Sequence, residues 1–330
     1  MIRPGGTVRW ILVLCLLAVS TSAWADWTAT GTVYYQDREF DQTGFTGVEP
    51  SLPVRFADVE IVDDGTGGVL ASGATDAAGG FSIAVTDSEI RDVYVRILTN
   101  STQTPDLFLR VTDVLDAPYA IAGSVFTGHD PGADIHMGFV TAPVGAGGEA
   151  FNSFDMGVYG ADYIAYLQGS RPDAAHPLRM VWEADRGWSA STASGSRMDI
   201  RDTGAYDDTV LLHEYAHYAV INWADDDNPG GSHALADCQQ EPTLAWDEGH
   251  ASFFGNSIMR HFGLPRPHLY VATLGGVGPG HMRTWFDLET ETRFECSGNT
   301  GEVAIYTALW DMFDGPGTQD DTPGVDDGPM

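Results

Sequence analysis

Apolar and polar residues alternate along the first part of the chain, from residue 27 to about residue 138. Asp-Gly and Gly-Gly pairs at residues 64–65, 67–68 and 79–80 interrupt the alternation. A period of two with frequent turns is typical of short antiparallel strands that bury one face. The pattern predicts about seven strands folded as an antiparallel β-sandwich. The alternating apolar positions are Val33/Tyr35, Val54/Phe56, Val59/Ile61, Phe81/Ile83/Val85, Val93/Val95/Ile97 and Leu107/Leu109/Val111.

The spacing of apolar residues becomes helical after residue 150. Apolar side chains recur every three or four positions over residues 151–167, which predicts a first helix. Residues 209–223 are apolar around most of the helix circumference and predict a second helix that lies in the core. Residues 243–254, preceded by Pro242, and residues 301–314 predict two more helices.

The two patterns together predict the α+β class, with an N-terminal antiparallel β-sandwich followed by a mainly helical domain that carries a small edge sheet. Residues 180–182 and 198–200 are its predicted strands, and the second either flanks a cleft or is purely structural. The predicted units are a signal peptide at 1–25, an accessory β-sandwich at 26–140, a linker at 141–149, the helical domain at 150–314 and an acidic flexible tail at 315–330.

The first 25 residues have the organisation of a secretory signal peptide. Arg3 and Arg9 precede an apolar run at residues 10–19, and Ala23-Trp24-Ala25 ends the segment, so we expect cleavage after Ala25. The run is too short to span a bilayer, and no later stretch is long enough. The sequence therefore predicts a secreted or extracytoplasmic protein without membrane insertion.

The chain is strongly acidic, with a formal net charge of −31, and all of its basic residues apart from histidine are arginines. This charge disfavours nucleic acid and anionic membranes as partners. Two explanations remain open: adaptation to high salt or Ca²⁺, and a genome whose base composition replaces lysine by arginine. Residues 225–228, Asp-Asp-Asp-Asn at the end of the second predicted helix, are a candidate Ca²⁺ site, although a solvated acidic loop is favoured.

Two cysteines, Cys238 and Cys296, remain after removal of the signal peptide. Exported proteins with two cysteines usually pair them, so we expect a disulfide between the loop before the third helix and the segment before the fourth. Free buried thiols are the alternative.

The motif HEYAH at residues 213–217 carries the chemistry of the chain. On a helix, His213 and His217 lie on one face and can bind the same Zn²⁺. Glu214 points away from them and is placed to hold a metal-bound water as a general base. The alternative is a chance pattern on a buried helix.

A third ligand must come from elsewhere in the chain. The subclass that takes a third histidine from the same segment is excluded, because Val220 and Trp223 stand where it needs Gly and His. Glu248 is the candidate, since it lies among Trp246, Ala251 and Phe254 and a carboxylate in apolar surroundings requires a partner or a metal.

Three segments in order, HEYAH at 213–217, AWDEGHASFF at 245–254 and GEVAIYTALWDMFD at 301–314, resemble the helical signatures of gluzincin metallopeptidases, a group that includes fungalysin and thermolysin-like enzymes. The first and third are most similar to the fungalysin group, and the middle one resembles the glutamate helix of zinc aminopeptidases. The resemblance implies a zincin-type domain with zinc on His213, His217 and Glu248 and with Glu214 as the base. Residues 57–85 resemble the small transthyretin-like, or carboxypeptidase regulatory-like, sandwiches that accompany extracellular enzymes.

The chain departs from this family at two places. Ser252 stands where these enzymes carry an aspartate that orients a zinc histidine. The segment by which the related aminopeptidases hold a free amino terminus is absent, which favours an endopeptidase or a narrowly specific processing enzyme. Tyr306, His281 and Tyr270 are the candidates for stabilising the oxyanion, and the sequence does not choose among them.

The hypothesis from the sequence is a secreted, zinc-dependent metallopeptidase that hydrolyses peptide bonds in a protein or peptide substrate. The first alternative is a catalytically inactive, peptidase-like surface or adhesion protein in which the β-sandwich binds the partner. The second alternative is an acidic Ca²⁺-binding structural protein.

Overall fold

The computed structural model describes residues 26–184, 189–191, 195–224, 227–235, 237–272, 284–289 and 300–313. The predicted signal peptide and acidic tail, residues 225–226 of the acidic loop, His281 and Cys296 lie outside this part of the chain. Strands and helices are both abundant, so the general α+β class is confirmed. No helix among the described residues is long and apolar enough to cross a membrane.

The described residues of the first part of the chain contain twelve strands. They are β1 (Asp26–Gln36), β2 (Phe40–Asp41), β3 (Gly44–Phe45), β4 (Ser51–Pro53), β5 (Asp58–Asp63), β6 (Val69–Ala74), β7 (Gly80–Thr86), β8 (Arg91–Leu98), β9 (Leu109–Thr112), β10 (Ala120–Ala122), β11 (Phe126–His129) and β12 (Ile135–Ala142).

Two larger sheets contain nine of these strands. One sheet has the order β12-β1-β4, with β7 also paired to β1, and the other has the order β10-β8-β5-β6, with β11 also paired to β8. Most of these pairs are antiparallel, but β1 and β12 are parallel. Strands β2 and β3 form a separate two-stranded sheet.

The predicted alternation sets which side chains of these strands are buried. Every second residue of β1 is buried, including Val33 and Tyr35, and β7 and β8 alternate in the same way. Their inward side chains belong to one hydrophobic core. Phe56 is an exception: it lies outside the strands with a left-handed backbone, φ 59°, and is only partly buried.

The second part consists of four helices and short strands. Its elements are α1 (Gly148–Gln168), β13 (Leu178–Trp182), β14 (Ala190–Ser191), β15 (Arg197–Ile200), α2 (Asp208–Trp223), α3 (Pro242–His261), β16 (Leu269–Ala272), β17 (Thr284–Asp287) and α4 (Glu302–Phe313). The four helices therefore occur where the apolar spacing predicts them. The carboxylate of Glu241 caps α3 by accepting hydrogen bonds from Thr243 N and Leu244 N, and Gly169 ends α1 in a left-handed conformation.

A sheet of order β14-β15-β13-β9 joins the two parts of the chain. Strand β9 belongs to the first part by sequence, yet it pairs in parallel with β13. The predicted strand at residues 198–200, a candidate for the edge strand beside a cleft, lies in β15. Because β15 pairs on both sides, it is not an edge strand, and that prediction is wrong. Among the described strands the edge is β14, whose two residues are too few to show a periodic pattern in the sequence.

Cys238 is disulfide-bonded. Its predicted partner, Cys296, lies outside the described residues. The segment after Cys238 pairs with the start of α4, because Gln239 and Thr300 form a β-bridge and Thr300 Oγ1 donates a hydrogen bond to the carbonyl of Cys238. The loop that precedes α3 is thereby tied to the beginning of α4.

A buried acid of α1, Asp155, holds the end of β1 against that helix, and two further acids lie nearby. Tyr35 OH donates to Asp155 Oδ2 at 2.9 Å, and Arg55 Nε donates to Asp155 Oδ1 at 2.7 Å. Burial raises the pKa of Asp37 from 3.8 to about 6. The hydrogen bond from Arg38 N lowers this pKa, and the negative charge of Asp155 raises it further. The pKa of Asp208 is raised by burial and by Asp37.

We expect Asp37→Asn to stabilise the protein at neutral pH. The pKa of Asp37 in the folded protein lies above its value in the unfolded chain. Ionisation of Asp37 therefore leaves the free energy of unfolding unchanged below about pH 4 and lowers it by the full amount above about pH 6. The substitution should raise the free energy of unfolding by about 1–2 kcal/mol at about pH 8 and leave it nearly unchanged near pH 3.5. Urea unfolding at the two pH values measures both quantities, and an equal effect at both would contradict this assignment.

Candidate metal centre

Two helices bring His213, His217 and Glu248 to a common point. The Nε2 atoms of the histidines, on α2, lie 3.1 Å apart. Oε2 of Glu248, on α3, lies 3.2 Å from His213 Nε2 and 3.3 Å from His217 Nε2. These three residues form a group whose ligand atoms could hold a metal ion.

The three separations have the size that a tetrahedral ion imposes on its ligands. Zinc bonds to nitrogen and oxygen of about 2.0–2.1 Å place neighbouring tetrahedral ligands about 3.3–3.4 Å apart. Three protein ligands leave a fourth position for solvent, as in catalytic rather than structural zinc sites. The geometry therefore fits a catalytic zinc ion, although other divalent ions of similar size also use these ligands.

Charge in this cluster is strongly coupled. Glu248 is buried, which would raise its pKa, but the two histidines lower the pKa well below its usual range. Burial lowers the pKa of His217, yet the hydrogen bonds with Asp247 and Glu248 outweigh burial and the net pKa is well above 6.5. A metal ion would compete with a proton for His217, because ligation requires neutral histidine.

The opposite ring nitrogens of both histidines have partners. His213 Nδ1 lies 2.9 Å from Ser252 Oγ, and His217 Nδ1 lies 3.0 Å from Asp247 Oδ2. Asp247 in turn accepts a hydrogen bond from Asn228 Nδ2. Ser252, which stands where the gluzincin resemblance implies an aspartate, contacts His213, and a carboxylate, Asp247, contacts His217. The sequence analysis assigned no role to Asp247. Such partners fix ring orientation and tautomer.

Two glycines of α3 allow the helices to approach this closely. A Cβ at Gly255 would lie 3.0 Å from the backbone nitrogen of His213, on α2. A Cβ at Gly249 would lie 2.6 Å from the carbonyl oxygen of Glu302, on α4. Any larger residue would push one helix away, so these glycines set the distance between Glu248 and its neighbours on both sides.

The cluster lies in a cavity of about 880 Å³. Glu214 lines it and is 7% exposed, and Ser189 and Ala190 contribute the wall at the edge strand β14. A cavity of this size next to an open strand edge can hold a segment of extended chain. Asn228, from the predicted Ca²⁺ loop, also lines the cavity and contacts Asp247, so its amide is directed toward this centre.

The three oxyanion candidates differ in position. Tyr270 lines the cavity and is buried, and burial raises its pKa, so the hydroxyl stays protonated and can donate. Tyr306 is 1% exposed, packs against Tyr270 and Phe286 and is not among the lining residues that the structure describes. The position of Tyr306 therefore does not support the predicted role of its hydroxyl as an oxyanion donor. The ring of Tyr306 packs in an aromatic cluster instead. His281 lies outside the described residues.

Two further residues at the centre escaped the sequence analysis. His233 Nε2 lies 3.4 Å from Glu248 Oε2 and 3.7 Å from Glu302 Oε2. Glu302 is the first residue of α4, and His233 stands in a loop between α2 and α3. A single histidine in a loop that contains Gly and Ser has no periodic pattern that would predict a role. Glu302 could not be singled out either, because acidic residues are common in the first turn of helices.

Comparisons with known proteins give no family. No family model matches the chain. A protein of Archaeoglobus fulgidus, described as uncharacterized, is 25% identical over 133 residues, which are 39% of this chain and 34% of the archaeal protein. The chain therefore spans about a third of that relative's length. The gluzincin resemblance stays a prediction.

Two solved structures share short similarities with this chain. A 9R-lipoxygenase from Cyanothece has a TM-score of 0.22 and 16% identity, covering 48% of this chain and 27% of the lipoxygenase. The major plantain pollen allergen Pla l 1 has a TM-score of 0.21 and 15% identity, covering 36% of this chain and 94% of the allergen. TM-scores of this size support no conclusion about fold or function.

Asp247→Asn should weaken metal binding by about 10–100-fold, because the amide cannot support the His217 imidazole as a carboxylate does. Ser252→Ala should have a smaller effect, since it removes a neutral partner. Competition with a chromophoric chelator measures both affinities, and the exposed Asp106→Asn is the matched control. Equal affinity in Asp247→Asn and Asp106→Asn would exclude this orienting role.

Proposed function

We propose that the protein is a zinc metallopeptidase that hydrolyses peptide bonds. The observation that carries the proposal is the convergence of His213, His217 and Glu248 at tetrahedral separations on the wall of an open cavity. Three protein ligands and a substrate-sized space are what a hydrolytic zinc site requires. A purely structural zinc site would close the fourth position with another protein ligand.

Glu214 would act as the general base. It follows a ligand histidine directly on α2 and lines the same cavity, so its carboxylate can take a proton from the attacking water and deliver it to the leaving amine. A zinc ion, when bound, would activate that water and polarise the peptide carbonyl. The Tyr270 hydroxyl, which lines the cavity, is the candidate donor to the oxyanion.

The substrate would be a protein or peptide in an extended conformation. Strand β14 forms the edge of its sheet, pairs only with β15 among the described strands, and its Ala190 lines the cavity. Such an edge can add a substrate strand through backbone hydrogen bonds, which would align the peptide bond with the metal centre. The strongly acidic surface disfavours nucleic acid as a partner.

The architecture of the proposal is that of a gluzincin with an accessory domain. The two N-terminal sheets would form a transthyretin-like β-sandwich, and α1 to α4 with their small sheets would form the zincin-type domain. The protein would act outside the cytoplasm after cleavage following Ala25, where the Cys238 disulfide is stable.

Glu214→Gln should retain zinc and lose hydrolysis by about 10²–10⁴-fold, because the amide cannot accept the proton of the water. Cleavage of an unstructured protein substrate by the zinc-loaded protein, with and without a chelator, measures the activity, and metal analysis measures the zinc. The exposed Glu89→Gln is the control and should match the unsubstituted chain.

Full hydrolysis by Glu214→Gln would remove Glu214 from its role. Stoichiometric zinc in the unsubstituted chain without any cleavage would favour the inactive, peptidase-like surface protein. Absence of bound zinc would reject the metallopeptidase itself.

A further inference from the structure

Glu248 contacts a second group of ligands in addition to the two histidines of α2. His233, Glu248 and Glu302 form a group whose donor atoms could hold a metal ion. They come from three separate segments: the loop between α2 and α3, helix α3 and the start of α4. The contact of Gly249 with the Glu302 backbone brings the last two segments together.

The side chain of Glu302 is buried without sufficient partners. Its side chain is 6% exposed and lines the cavity, and Oε1 has no hydrogen-bond partner among the described residues. A buried carboxylate is costly unless it is paired or metal-bound. The carboxylate forms a hydrogen bond with the Gln240 side chain, whereas His233 Nε2, at 3.7 Å from Oε2, is too distant for a good hydrogen bond. These contacts leave Oε1 without a partner among the described residues and offset only part of the cost of burial.

The lining of the cavity is rich in carboxylates. Glu214, Asp247, Glu248 and Glu302 line it, and no arginine occurs among the lining residues that the structure describes. The chain contains no lysine. Histidines are therefore the only basic side chains among the described lining residues, and the cavity offers cations several carboxylate ligands.

We propose that the centre holds a second divalent cation, bound by His233 and Glu302 and sharing the Glu248 carboxylate with the first ion. The inference rests on the proposed metallopeptidase site and extends it to a two-metal site. Hydrolases with such sites hold their ions about 3.5–4 Å apart, so that both can contact one substrate group. The competing explanation is an ion pair in which a protonated His233 lies between two carboxylates.

The ligand chemistry selects the class of ion. One imidazole and two carboxylates suit Zn²⁺, Mn²⁺ or Co²⁺, whereas Ca²⁺ and Mg²⁺ prefer sites made only of oxygen. His233 is partly exposed, and its loop carries no other ligand in this group. We therefore expect the second ion to bind more weakly than the first.

The test is a metal titration of the full chain. Metal-free protein is equilibrated with increasing Zn²⁺, freed of excess ion by gel filtration and analysed by emission spectrometry. We expect two ions per chain at saturation, and one in His233→Ala and in Glu302→Gln. His136→Ala and Glu89→Gln, exposed residues of the N-terminal part, are the matched controls and should retain two.

The outcomes separate this inference from the proposed function. One ion per chain in the unsubstituted protein, unchanged in the variants, would overturn the second site and leave the metallopeptidase proposal standing. No bound ion would overturn both. Two ions that persist in both variants would reject His233 and Glu302 as ligands.

A second measurement does not depend on whether the variants fold. The unsubstituted protein is loaded with Mn²⁺ and studied by electron paramagnetic resonance. Two ions that share a carboxylate should give the spectrum of an exchange-coupled pair. Isolated Mn²⁺ signals at saturation would reject the shared Glu248.

Discussion

The close approach of α3 to its two neighbouring helices is the constraint on which the centre depends. Gly255 lets α3 reach the α2 backbone at His213, and Gly249 lets it reach the α4 backbone at Glu302. Glu248 lies between these contacts, and its carboxylate is held within hydrogen-bonding distance of two histidines. Backbone contact fixes such distances more rigidly than flexible side chains can, because packed helices have little freedom to slide. Ligand geometry here is therefore a consequence of helix packing.

The same packing creates an electrostatic problem that a cation would relieve. Four carboxylates line one cavity in a chain without lysine. Hydrogen bonds with Asp247 and Glu248 raise the pKa of His217 against the effect of its burial. A metal ion bound by His217 would have to displace a proton from it, so the affinity for metal would depend on pH.

The N-terminal sheets contribute more than a separate accessory unit would. Strand β9 pairs with β13, and one hydrophobic core contains buried residues of both parts, while a second cluster surrounds α4. Arg55, in the first part, donates to Asp155 of α1, and Tyr206 OH, just before α2, donates to the carbonyl of Gln36. The position of α2, which carries His213 and His217, is thus supported by contacts from the first part of the chain.

The sequence alone determined the features that depend on local periodicity. Strands β1, β5, β7 and β8, the four helices, and the placing of His213 and His217 on one helix face follow from spacings of two or of three to four residues, which backbone geometry converts directly into faces. Glu248 could be chosen because a carboxylate among apolar neighbours needs a partner. Tertiary structure decided the rest: the edge position of β14, the support of His217 by Asp247, the burial of Tyr306 away from the cavity, and the meeting of His233 with Glu302. These depend on contacts between segments far apart in the chain, and no local pattern encodes the distance between them.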